Sequence, residues 1–312
     1  MLFAQTSQGI ARVVDGGLEL LACSGRSLDD YIVAERLDEL AYQETLGAAT
    51  WEEVTVAPPV GRPGKIIIVG LNYRDHAAEI GSPLPTFPRF HLVPGSAVTG
   101  SGGTVTMPRF AAGKIDYEGE LAIVIGRTGR DIPEESAWNF VAGGTVANDI
   151  SARDIQMGEN PRLPMASPAL AKGMDGFKPL GPALLTTDEL RCRRALSITT
   201  RVNTEVRQSS STAELVFTVP ELLARISSFL TLEAGDVVLT GTPGGVGLAE
   251  GRFLSGGDVV TVTIENIGTL TSTLVDMEPT LAEAVTTPSR EPQTLSTSTR
   301  IRSVKESRTH TS

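Results

Sequence analysis

Two glutamates one residue apart, in Asp116-Tyr117-Glu118-Gly119-Glu120-Leu121, and one aspartate, in Val146-Ala147-Asn148-Asp149-Ile150, are the side chains of this sequence with the clearest chemical potential. Residues 121–125 are a branched-aliphatic run closed by Gly126, which reads as a buried strand. Side chains two apart on a strand share a face and lie about 6.6 Å apart along it. Both carboxylates therefore aim at one point, while Gly119 leaves the opposite face bare. Anionic oxygens crowded beside an apolar core lose hydration and repel each other, so they require a cation, a proton or a buried donor. A third carboxylate, from Asp149, completes a hard oxygen set of the kind that Mg²⁺, Mn²⁺ or Ca²⁺ takes. A lone Glu-x-Glu also describes two solvated acids at a strand end, so the pair counts only in company with the rest.

A base for such a centre is in short supply, because the chain has only three histidines: His76, His91 and His310. His76 and Glu79 lie where the pattern turns helical after residues 65–70, and their i,i+3 spacing makes them neighbours on one face. A carboxylate beside an imidazole orients it and raises its basicity, as a general base requires. Lys172, framed by small residues in Leu170-Ala171-Lys172-Gly173, can direct a cation at the acids. The segment Gly241-Thr242-Pro243-Gly244-Gly245-Val246-Gly247 lacks the Lys-Ser/Thr of a P-loop. Its backbone N–H groups and the Thr242 hydroxyl suit a small anionic substrate.

The elements that must position these groups follow from alternation and glycine punctuation. Residues 11–14 and 18–21 flank Asp15-Gly16-Gly17 as two short strands on a turn. Ser27 caps a helical pattern over residues 31–41, and residues 51–56 read as a strand. Ala57-Pro58-Pro59-Val60-Gly61-Arg62-Pro63-Gly64 is a stiff linker. Beyond it, residues 65–70 and 141–149 read as buried strands, the latter ending in Asp149, and residues 81–88 as an irregular lid or pocket wall. Residues 196–207 form a hairpin, 218–229 a helix, 236–240 a strand and 257–275 a closing hairpin. From residue 277 onward Thr, Ser, Pro, Glu and Arg dominate without periodicity, a disordered composition. The expected fold class is α+β and β-rich. A small N-terminal α/β accessory domain is expected over 1–60, a catalytic domain over 61–276 and a tail over 277–312.

A formal charge of −10 repels a phosphate backbone, so no nucleic-acid partner is expected. No apolar run approaches membrane-spanning length, and the first residues lack the basic and apolar regions of a signal peptide. Cys23 and Cys192 read as reduced thiols, and the expectation is a cytoplasmic protein.

Six ordered motifs then come together. They are Gly70-Leu71-Asn72-Tyr73-x-Asp75-His76, Asp116-Tyr117-Glu118-x-Glu120-Leu121, Asn148-Asp149-x-Ser151-Ala152-Arg153-Asp154-x-Gln156, Ala171-Lys172, Val202-Asn203 and Thr240-Gly241-Thr242-Pro243-x-Gly245-Val246-Gly247. Over about residues 61–276 this order resembles the fumarylacetoacetate hydrolase family, in its branch of acylpyruvases and 2-hydroxyhepta-2,4-diene-1,7-dioate isomerases. The resemblance implies a mixed β-roll catalytic domain paired into a homodimer. It implies that Glu118, Glu120 and Asp149 bind one divalent ion, Mg²⁺ or Mn²⁺, with Ca²⁺ as a third hard cation. It implies a base, His76, with its orienting acid Glu79 on a mobile lid, and Lys172 in the catalytic set. Tyr73, Arg153, Gln156, Gly241 and Thr242 are its implied substrate-binding positions.

Members of that family act on 2-keto or 2,4-diketo acids, so the resemblance implies a small keto-acid substrate. The metal would chelate the keto and carboxylate oxygens and stabilise an enolate forming on C3. Water attack on the distal carbonyl then cleaves a carbon–carbon bond, and hydrolysis of an acylpyruvate-like 2,4-diketo acid is the first expectation. The same enolate protonated elsewhere gives tautomerisation, and formed by loss of CO₂ it gives decarboxylation. A homologue kept as a non-catalytic dimer is the reading of another class, and the presence of all three acids with the His76 and Glu79 pair speaks against it. One departure stands out: His91-Leu92-Val93-Pro94 occupies the place of Phe-Leu-Lys-Pro in acylpyruvate-cleaving relatives. Val93 removes a cation there, which points to a less charged or bulkier substrate. Met174 and Lys178 are milder departures, and Lys178 is the nearest replacement charge.

Overall fold

Alternation and tight turns at the start of the chain produce a meander. In this computed structural model, which describes residues 1–111 and 113–277, β1 (Leu2–Thr6), β2 (Gly9–Val14) and β3 (Gly17–Leu21) run antiparallel. The tail expected from residue 277 lies, apart from Met277, outside the described residues. α1 (Leu28–Val33) begins at the reciprocal capping box of Ser27 and Asp30. It is shorter than the pattern over 31–41, because the chain enters left-handed backbone at Glu35 (φ 57°) and continues as a 3₁₀ turn over Leu37–Tyr42. β4 (Thr45–Ala49) then pairs with β3. The strand expected over 51–56 is replaced by a 3₁₀ turn at Trp51–Glu53, closed by a capping box between Thr50 and Glu53. Local satisfaction of the backbone outweighs the strand propensity of Trp51 and Val54. The strand that remains there is β5 (Val56–Ala57), which pairs with β1.

The remaining elements include the expected ones, joined by strands over 89–107 and 178–186 that the sequence did not announce. β6 (Ile66–Gly70) leads into α2 (Arg74–Glu79), and β7 (Arg89–Val93), β8 (Val98–Gly100) and β9 (Gly103–Met107) come next. β10 (Ile115–Asp116), β11 (Gly119–Ile125), β12 (Val141–Asn148) and β13 (Ser151–Ala152) carry the acidic motifs. α3 (Arg153–Met157), α4 (Pro168–Lys172), β14 (Lys178–Thr186) and α5 (Thr187–Leu190) follow. The last group is β15 (Ser197–Val202), β16 (Glu205–Ser211), α6 (Val219–Ser227), β17 (Val237–Leu239), α7 (Gly247–Glu250), β18 (Val259–Ile264) and β19 (Gly268–Asp276).

These strands make an α+β, β-rich architecture. The main sheet runs β4-β3-β2-β1-β14-β12-β11-β17-β6-β7, with β5 on β1 and β8 on β14. The front strands join it through β1 and β14. From β14 to β7 the sheet is bridged back on itself: β7 passes through a 3₁₀ turn at Gly95–Ala97 into β8, which pairs in parallel with β14 at Lys178↔Val98. This bridge is what makes the segment a roll. A second sheet, β16-β15-β18-β19-β9, packs on its outside.

The period of two divides the side chains of β11 between two cores. Leu121, Ile123 and Ile125 pack in one cluster with Ile198 and Val262 of the second sheet, and Ala122 and Val124 pack in another with Ile68 and Leu180. Glu118 and Glu120 share the face of Ala122 and Val124, so they project into the roll. Gly119 faces the second sheet, where a Cβ would lie 2.2 Å from Thr200 Oγ1 and 3.0 Å from Val262 Cγ1. The bare face read from the sequence is the point at which the second sheet closes over the acid-bearing strand. Among the described residues, no helix is long and apolar enough to cross a membrane.

Candidate metal centre and active site

Register brings the acids together. β11 and β12 pair antiparallel with Gly119 opposite Asn148 and Glu120 opposite Ala147. Asp149 N–H donates to the Glu118 carbonyl at 2.7 Å, which carries the ladder past the last strand residues. The result is that Glu118, Glu120 and Asp149, all buried, each offer a carboxylate oxygen within 4.8 Å of the others.

Three buried cations face them. Lys172, last residue of α4, donates to Glu118 Oε2 at 2.6 Å and to Asp149 Oδ2. Lys178, first residue of β14, lies 2.7 Å from Asp149 Oδ1 as an ion pair and donates to the carbonyls of Ile150 and Phe177. Arg153 opens α3 and turns each nitrogen to a protein acceptor. Its Nε donates to Asp116 Oδ2 at 2.8 Å, one terminal nitrogen donates to Gln156 Oε1 at 2.8 Å, and the other lies 2.6 Å from Glu118 Oε1.

The two glutamates diverge in their protonation. Burial opposes ionisation of both. For Glu118 the charges of Arg153 and Lys172 overcome burial and hold its carboxyl below the usual range. For Glu120 the neighbouring Asp149 and Glu118 add to burial and push it well above that range. Burial pushes Lys178 down to about 8 against the pull of Asp149, whereas Asp149 and Glu118 overcome burial at Lys172 and raise it.

Glu120 also carries the sharpest sign of an unfilled role. Its Oε2 accepts from Gly241 N–H at 2.6 Å, but its buried Oε1 has no hydrogen-bond partner among the described residues. A buried carboxylate oxygen without a donor costs about 1–3 kcal/mol or more. A divalent ion coordinated by the three acids would supply the missing partner and favour the ionised form, and an all-oxygen donor set suits Mg²⁺ or Mn²⁺. The residues fit such an ion.

The glycine-rich loop joins this cluster to α2. Asp75 Oδ1 accepts from Gly244 N–H at 3.3 Å, and Glu79 Oε1 accepts from Gly245 N–H at 2.7 Å. Glu79 Oε2 faces His76 Nδ1 at 2.9 Å, so the pair expected from i,i+3 spacing is formed. A side chain at residue 245 is impossible, since its Cβ would fall 2.0 Å from the Arg207 carbonyl oxygen with the backbone at φ +95°.

The expected substrate-binding positions divide. Gln156 is half-buried, anchored through its oxygen to Arg153, and nothing among the described residues accepts from its amide nitrogen. Tyr73 is buried with no partner for its hydroxyl among the described residues, and the acidity of that hydroxyl is suppressed by burial and by the charges of Glu120 and Asp75. Arg153 and Gly241 are turned to protein acceptors, as above. Thr242 faces the scaffold too: its hydroxyl donates to the Gly119 carbonyl at 3.0 Å and accepts from Gln208 Nε2 at 2.8 Å.

Two supporting residues escaped the sequence reading. Gln208 is buried and its Oε1 accepts from Gly119 N–H at 2.9 Å, so it ties the acid-bearing strand to the glycine loop. A glutamine in an alternating strand gives no signal of this. Asp116 accepts from Tyr117, Gly247 and Leu248 N–H groups as well as from Arg153. Its signal was a third acid in a motif in which only two were needed.

The family model described as fumarylacetoacetate (FAA) hydrolase C-terminal matches residues 65–275. Oxaloacetate tautomerase YisK of Bacillus subtilis (strain 168) is 41% identical over 225 residues, covering 70% of this chain and 73% of YisK. The structure of 5-carboxymethyl-2-hydroxymuconate delta-isomerase from Mycobacterium smegmatis has a TM-score of 0.71 at 32% identity, covering 89% of this chain and all (100%) of that one. Maleylpyruvate hydrolase from Sphingobium sp. SYK-6, solved with manganese(II) ion and pyruvate, has a TM-score of 0.72 at 26% identity over the same shares, 89% and 100%. This chain belongs to the fumarylacetoacetate hydrolase family, whose enzymes include hydrolases, isomerases and tautomerases.

Proposed function

We propose that the protein is a divalent-metal-dependent tautomerase of an oxaloacetate-type 2-keto dicarboxylic acid, with Glu118, Glu120 and Asp149 as ligands of Mg²⁺ or Mn²⁺. The convergence of three buried carboxylates within 4.8 Å carries this reading, and the 41% identity to an oxaloacetate tautomerase favours tautomerisation over the hydrolysis expected first. Asp116, Glu118 and Asp149 face Arg153, Lys172 and Lys178, while Glu120 is pushed toward its protonated form, so the metal-free site carries little net charge. A divalent ion held there would add the positive charge that draws an anionic substrate. When bound, the ion supplies Lewis-acid polarisation of a keto oxygen.

The protein groups then divide the work. His76 with Nδ1–H directed to Glu79 keeps Nε2 free to take a proton from C3 of the substrate. Glu79, held by Gly245 N–H, fixes the ring and its tautomer. Lys172 opposes charge developing at the substrate oxygens, and the free amide of Gln156 donates to one of them. Arg153 positions Glu118 and Gln156. The match over 65–275 supports 61–276 as the catalytic portion with 1–60 as an accessory one, and we carry a homodimer as part of the same reading.

A second reading, hydrolysis of an acylpyruvate-like 2,4-diketo acid, is favoured by the likeness to maleylpyruvate hydrolase. Ultraviolet absorbance of the oxaloacetate enol, followed with Mg²⁺ and with chelator, separates the two. Metal-dependent acceleration of enol loss without new products supports tautomerisation. Acid products from a 2,4-diketo acid, with no effect on oxaloacetate, move the assignment to hydrolysis.

A further inference from the structure

His91 lies on β7, at the far edge of the roll, and the site described above does not use it. It pairs with Ile68, and Val93, two residues on, pairs with Ile66. Ile66, Ile68 and Val93 all belong to the cluster that fills the roll. Directly paired residues and residues two apart share a face, so His91 projects into the same interior as Glu118 and Glu120. The bridge from β7 into β8 brings this edge round to Lys178, which pairs with Val98. α4 closes the gap from the other side, since a Cβ on Gly173, next to Lys172, would lie 3.3 Å from Val93 Cβ.

Position and solvation agree. His91 Nε2 is buried without a hydrogen-bond partner among the described residues, like Glu120 Oε1 in the same interior. Burial lowers the imidazole below its ordinary value, opposed by Asp149 and assisted by Lys172 and Lys178. The ring is therefore neutral at neutral pH and has one N–H to offer.

We propose that His91 contacts the substrate and donates a hydrogen bond from Nε2 to the carboxylate remote from the metal-binding end. This rests on the keto-dicarboxylate reading above. A carboxylate only accepts, which fixes the proton on Nε2. Val93, the neighbouring inward-facing residue of β7, is apolar, so this strand holds the distal end by a neutral donor and not by a cation.

The test replaces His91 with Phe, which keeps a ring and removes the donor, and with Gln, which restores an N–H. A charged hydrogen bond of this kind sets the expected rise in KM for oxaloacetate at roughly ten- to hundredfold in His91→Phe, with partial recovery in His91→Gln. Inhibition by oxalate, which has the chelating end and no remote carboxylate, stays unchanged in both. Equal changes for oxaloacetate and oxalate, no change for either, or a parallel loss of thermal stability would overturn the proposal. A second readout is independent of turnover: ¹⁵N NMR of the three histidines, assigned by single replacement. Oxaloacetate added with Mg²⁺ is expected to shift the His91 signal, and oxalate is not. If the wild-type enzyme fails to tautomerise oxaloacetate while its His91 signal still responds to it, the reaction assignment fails and the contact stands. A silent His91 signal in an active enzyme removes the contact alone.

Discussion

Asp149 donates its backbone N–H to the carbonyl of Glu118, 2.7 Å away. That one bond sets the first acid of the Glu-x-Glu pair opposite the aspartate that follows the next strand. The convergence of the acids is thus fixed by main-chain register, and their side chains inherit it. A one-residue slip would turn every carboxylate to the other face.

Glu120→Gln separates stability from function. The amide still accepts from Gly241 N–H, while the cost of neutralising or desolvating a carboxylate on folding disappears. The metal-free variant is expected to gain about 1 kcal/mol in denaturant unfolding. Divalent-ion affinity is expected to fall more than the roughly 10- to 100-fold typical for loss of an outer-shell partner. A loss of both together would mean that Glu120 is structural.

The raised pKa of Glu120 gives a signed pH dependence. Its folded value lies above the ordinary 4.5, so between the two the folded metal-free protein holds a proton that the unfolded chain has lost. Its contribution to stability is complete below about 4.5 and declines as pH rises through the folded value. Thermal melts across that window should fall with pH without metal and flatten with Mg²⁺. Calorimetry in buffers of different ionisation enthalpy should detect proton release on Mn²⁺ binding.

Gly119→Ala drives a methyl group into Thr200 Oγ1 and Val262. The expected cost is about 1–3 kcal/mol from overpacking, together with weaker metal binding as Glu118 and Glu120 shift. Thr200→Ala in the same chain should recover part of both losses, and a double-mutant cycle measures the coupling.

His76→Ala should lower kcat by roughly 10²- to 10⁴-fold, the usual worth of a general base. Glu79→Ala should cost less. The double variant should be no worse than His76→Ala, since groups acting as a unit are not additive. Additive losses in steady-state kinetics would separate the two residues.

The sequence made much of this legible because its strongest signals are periodic. Branched runs bounded by glycine gave β6, β11, β12 and β17, and i,i+3 spacing gave the contact of His76 with Glu79. The acids were found because carboxylates in apolar strands conflict with their surroundings. What stayed hidden depends on distance across the chain. Nothing near Gln208 announces that it holds Gly119 and Thr242, 89 and 34 residues away. Lys178 looked like a minor departure until its pairing with Val98 and its approach to Asp149 placed it at the centre. The turn at Trp51–Glu53 was missed because a local capping box competes with strand propensity over a few residues.

The central claim is that Glu118, Glu120 and Asp149 share one divalent ion. Calorimetric titration of metal-free protein with Mn²⁺, beside Glu118→Gln, Glu120→Gln and Asp149→Asn, tests it most directly. One ion per chain is expected in the parent, with binding weakened more than about tenfold in each variant. An absence of binding in the parent, or affinity untouched by all three replacements, would contradict it.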